Sequence, residues 1–87
     1  MESTLRCVIV EDDKVSMEVM KGLVERAGFL QLQDAFTDPF KAIQWLADNE
    51  TDLLLLDMEM PGLNGLELLK SLTVKPYVVV ISSKEEY

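Results

Sequence analysis

Leu53-Leu54-Leu55-Leu56-Asp57 runs four apolar residues straight into an acid. A short continuous apolar run bounded by polar residues suits a strand buried on both faces of a parallel sheet. An earlier run of the same kind, Cys7-Val8-Ile9-Val10, ends in Glu11-Asp12-Asp13. Acids at the exits of two such strands meet at one rim, where open α/β sheets bind their ligands.

Outward from these runs, the apolar period keeps changing. Leu5–Val10 reads as a strand. From Lys14 to Ala27, Val15, Val19, Met20, Leu23 and Val24 recur at three- and four-residue spacing, which predicts an amphipathic helix with Gly28 as its left-handed cap. Leu30–Phe36, interrupted by Gln31, Gln33 and Asp34, reads as a half-exposed strand at a sheet edge. Asp38-Pro39 is a helix start, with Phe40, Ile43, Trp45, Leu46 and Ala47 as the buried stripe through about Asn49. After Asp57, a loop through Gly65 leads to a helix over about Leu66–Leu72. Lys75-Pro76 precedes a last strand, Tyr77–Ser82, and Ser83 is placed to cap a further helix. Strands alternating with helices predict a parallel α/β sheet with helices on both faces and right-handed crossovers.

Bulk composition narrows the function. The chain has 87 residues, enough for one small domain that buries about 60–65% of its unfolded surface. The 16 acids against 8 bases give a net charge of −8, which argues against binding nucleic acid or an anionic membrane. Basic partners, or partners that bring a cation, fit better. Cys7 is the only cysteine, so no intramolecular disulfide forms, and its apolar setting predicts a buried small hydrophobe. No apolar stretch approaches the roughly 18 residues of a membrane span, and Met1-Glu2-Ser3-Thr4 does not open a secretory signal. The expectation is a cytoplasmic protein.

Asp12, Asp13 and Asp57 all fall at carboxyl ends of strands. Clustered carboxylates repel one another, and a hard cation such as Mg2+ relieves that repulsion while keeping sites open for water and phosphate oxygens. With a cation in place, Asp57 is positioned to attack a phosphoryl group. The plainer alternative is that each acid merely caps a helix, and Asp13 is well placed to cap Lys14–Ala27. Ser82, at the end of the last strand, is a candidate donor to a phosphoryl oxygen on Asp57, with Ser83 as its competitor.

Glu11-Asp12-Asp13, then Asp57-Met58-Glu59-Met60-Pro61-Gly62-Leu63-Asn64-Gly65, then Ser82-Ser83 resemble, in order and spacing, the receiver domain of two-component response regulators. The resemblance spans essentially the whole chain. It implies a flavodoxin-like (CheY-like) fold, with Asp57 as phosphoacceptor for a histidine kinase. It further implies Mg2+ held by Asp12 or Asp13, or both, together with Asp57 and the backbone carbonyl of Glu59. Ser82 would be the switch hydroxyl, and an output domain would receive the signal. The chain would be a phosphoacceptor rather than an enzyme. The run from Ser82 to Tyr87 also resembles regulators with a LytTR-type DNA-binding output.

Receivers of that family have five strands and five helices in about 120 residues, so residues 1–87 would form the N-terminal two-thirds of one. The family's lysine after strand five then has no counterpart here; Lys75 and Lys84 lie in the wrong places. On this reading the last strand becomes an exposed apolar edge, and the expectation is a homo-oligomer formed through it. Phosphorylation of these 87 residues alone is expected to be slow. Two other functions compete. Asp57-Met58-Glu59 also resembles the haloacid-dehalogenase nucleophile motif of phosphohydrolases, although there the nucleophile follows the first strand. A receiver-like interaction module without phosphate chemistry is the other.

Overall fold

The computed structural model describes residues 4–57, 60, 62–72 and 76–81. The elements are β1 (Leu5–Val10), α1 (Lys14–Ala27), β2 (Leu30–Phe36), α2 (Pro39–Asp48), β3 (Leu53–Asp57), α3 (Gly65–Lys70) and β4 (Tyr77–Ile81). All pairings are parallel, in the order β2-β1-β3-β4. The reversal between β1 and β3 puts the topological switch point where the two acid-terminated strands lie side by side. The helix expected to start at Ser83 lies outside the described residues.

Two apolar layers flank the sheet. Val8, Val10, Leu54 and Leu56 pack with Ala42 of α2, and with Leu68 and Leu72 in and just beyond α3. Cys7, Ile9 and Leu55 face the other way and pack with Met17, Met20 and Val24 of α1. Burial on both faces explains why β1 and β3 do not alternate. Each fully buried Leu or Ile there contributes about 1.5–3 kcal/mol. Cys7 is buried and free, and its burial pushes the thiol pKa up.

The helix boundaries follow local chemistry. Asp13 caps α1 by accepting from the Ser16 amide at 2.8 Å, and Asp38 caps α2 by accepting from the Phe40 amide at 2.9 Å. Gly28 closes α1 at φ +78°, a conformation that side chains rarely adopt. Asn64 and Glu67 form a reciprocal capping box at the start of α3. That helix ends two residues earlier than expected. The Ser71 amide turns back to Leu68 O, and the Ser71 hydroxyl donates to the same carbonyl at 2.6 Å.

Two predicted stripes need correction. In α1, Val15 (74% exposed), Val19 (57%) and Leu23 (48%) face outward, while Met20 and Val24 meet the sheet as expected, joined by Met17. The apolar arc of this helix is wider than the strip of sheet it covers, so part of it stays outside. In α2, Phe40 and Ala47 are exposed, and Ala42 is the fully buried contact. Trp45 is half-buried against the α2–α3 layer, with its ring centroid 6.0 Å from that of Phe36.

The two edges of the sheet differ. β2 carries exposed Gln31 and Asp34, and its register to β1 skips Gln33, a bulge that blunts the edge. β4 has neither charge nor bulge, and Tyr77, Val79 and Val80 are exposed along it. At the amino end of the sheet, Arg6 and Asp52 lock β1 to β3. The guanidinium donates to both carboxylate oxygens at 3.1 and 3.2 Å, and the Arg6 amide donates to Asp52 at 2.8 Å. This partner holds the Asp52 carboxyl below its ordinary range.

Candidate functional site

β1 and β3 run in step, with Cys7 beside Leu53 and Val10 beside Leu56. The Arg6–Asp52 clamp fixes that register from the far end. One residue on, the same register brings Glu11 level with Asp57. Both are almost completely buried, at 0% and 2% exposure, and Asp12 is half-buried beside them. Glu11, Asp12 and Asp57 each offer a carboxylate oxygen within 4.8 Å of the others.

Such a group is costly when all three acids are ionised. At an effective dielectric near 20, two unit charges 4.8 Å apart repel by about 3 kcal/mol. The effect falls on Glu11, whose pKa is pushed up to about 7, first by burial and then by hydrogen bonding and charge from Asp57 and by Asp12. A hydrogen bond from the Asp13 amide to Glu11 Oε2, 3.1 Å long, partly offsets the rise. Glu11 Oε1 is buried without a hydrogen-bond partner. An orphaned carboxylate oxygen inside a trio of acids is the donor set that a hard divalent cation takes, one or two carboxylates with waters filling the rest.

The structure therefore sorts the expected residues. Asp12 and Asp57 converge. Asp13 lies outside the trio and is engaged as the α1 cap, the plainer of its two readings. Glu11 joins Asp12 and Asp57, a residue that the sequence reading did not name as a ligand. Its signal was available, since it is the first residue past β1 and register alone sets it beside Asp57. Glu59, Ser82 and Ser83 lie outside the described residues. β4 pairs in step with β3, Ile81 beside Asp57.

Comparison with known proteins decides the family. The sequence model of the response regulator receiver domain matches residues 7–87. The chain belongs to the response regulator receiver family. This receiver is 33% identical over 87 residues to protein-glutamate methylesterase/protein-glutamine glutaminase 5 of Myxococcus xanthus, with 97% of the chain and 25% of the relative aligned. It is 36% identical over 85 residues to transcriptional regulatory protein MalR of Bacillus subtilis, covering 94% of the chain and 36% of that protein. It superposes on the signal receiver domain of the response regulator NarL from Mycobacterium tuberculosis with a TM-score of 0.82 at 23% identity. That match covers 97% of this chain and 70% of the NarL chain. The receiver thus spans about a quarter to a third of the curated relatives it matches, and 70% of the NarL receiver. No helix among the described residues is long and apolar enough to cross a membrane.

Proposed function

We propose that Asp57 accepts a phosphoryl group from the phosphohistidine of a histidine kinase, at a pocket where Glu11, Asp12 and Asp57 hold Mg2+. The observation that carries this reading is the trio of carboxylates, buried at Glu11 and Asp57 and half-buried at Asp12, with an unsatisfied oxygen on Glu11. A carboxylate oxygen of Asp57 attacks phosphorus, the O–P bond forms as the N–P bond breaks, and the released imidazole takes a proton from solvent. Bound Mg2+ supplies charge neutralisation for the transferring phosphoryl oxygens.

The surrounding residues position these groups. Glu11 accepts from the Asp13 amide and so ties down the turn that presents Asp12. Asp13, as the α1 cap, fixes where that turn ends. The family resemblance adds the backbone carbonyl of Glu59 as a further Mg2+ ligand and Ser82 as the hydroxyl that follows the phosphoryl group. It also adds relay of the signal to an output domain, and a cytoplasmic setting. The test is Mg2+ binding by calorimetry on the wild type and on Asp12→Ala and Asp57→Asn. Both variants are expected to weaken binding at least tenfold, and unchanged affinity in both would refute the site.

Self-association through β4 is a second element of the reading. The strand is apolar, uncharged and exposed, whereas the opposite edge is bulged and polar. Such an edge pairs readily with another strand.

A further inference from the structure

We draw no further inference here: the strongest candidate, the exposed apolar stripe of Val15, Val19 and Leu23 on α1, has nothing in the structure to show what covers it.

Discussion

Replacing Glu11 by glutamine tests the electrostatics of the pocket without opening a cavity, because the amide has nearly the volume of a protonated carboxyl. The Glu11 carboxyl titrates near 7 in the fold against 4.5 for an ordinary glutamate. At about 1.4 kcal/mol per pKa unit, that difference is about 3 kcal/mol. A folded pKa above the unfolded one means that the native state holds a proton the unfolded chain has released. The Glu11 contribution to stability is therefore greatest below pH 4.5, declines as pH rises, and reaches its floor above pH 7. In the variant this decline is absent. Asp52, held low by Arg6, loses its contribution only as pH falls below the ordinary aspartate range, so the two effects occupy separate windows. The assay is urea unfolding with EDTA present, for both proteins, from pH 5 to 8. The two curves are expected to lie close together at pH 5. At pH 8 Glu11→Gln should be the more stable by about 3 kcal/mol, a midpoint shift of about 2 M for a domain of this size. Saturating Mg2+ should raise the midpoint of the wild type and leave that of the variant nearly unchanged. A stability difference that does not vary with pH, or a variant less stable at pH 8, would refute the reasoning.

Other outcomes follow from the same structure. Asp13→Ala should cost about 1 kcal/mol in urea unfolding through loss of the α1 cap, with Mg2+ affinity within a few-fold of wild type; a tenfold loss of affinity would make Asp13 a ligand after all. Leu56→Ala, at a fully buried site between the sheet and α2–α3, should cost 2–5 kcal/mol by the same method. The double change Val79→Lys and Val80→Lys should lower the association state measured by light scattering after size exclusion. If the wild type is already a compact monomer, the edge-pairing reading falls.

Much of this architecture is legible in the chain because its strands and turns use unambiguous chemistry. Leu53–Leu56 is too short and too continuous to be anything but a doubly buried strand beside a parallel neighbour. Asp38-Pro39 and Gly28 mark helix ends by local chemistry, a capping carboxylate before proline and a residue at positive φ. The orientation of α1 is not legible, since its apolar residues cover a wide arc and only the strip of sheet beneath them selects Met17, Met20 and Val24. Phe40 and Ala47 fail in the same way: periodicity says that a helix has an apolar side, not which edge of it the sheet meets. In the site, Asp12 and Asp57 are found by position alone. Glu11 and Asp13 are harder to separate, because the acids are consecutive and only the β1–β3 register shows that Glu11 comes level with Asp57. Asp13 then follows from cap chemistry, since a carboxylate placed to accept from the Ser16 amide is held at the head of α1.

The central claim is that Asp57, within the Glu11–Asp12–Asp57 pocket, is the phosphoacceptor. Its most direct test is incubation with acetyl phosphate with and without Mg2+, followed by borohydride reduction and peptide mass spectrometry, which converts a phosphorylated aspartate to homoserine. Homoserine is expected at position 57 alone, dependent on Mg2+ and absent in Asp57→Asn. Modification at another acid, or at Asp57 equally without Mg2+, would contradict it.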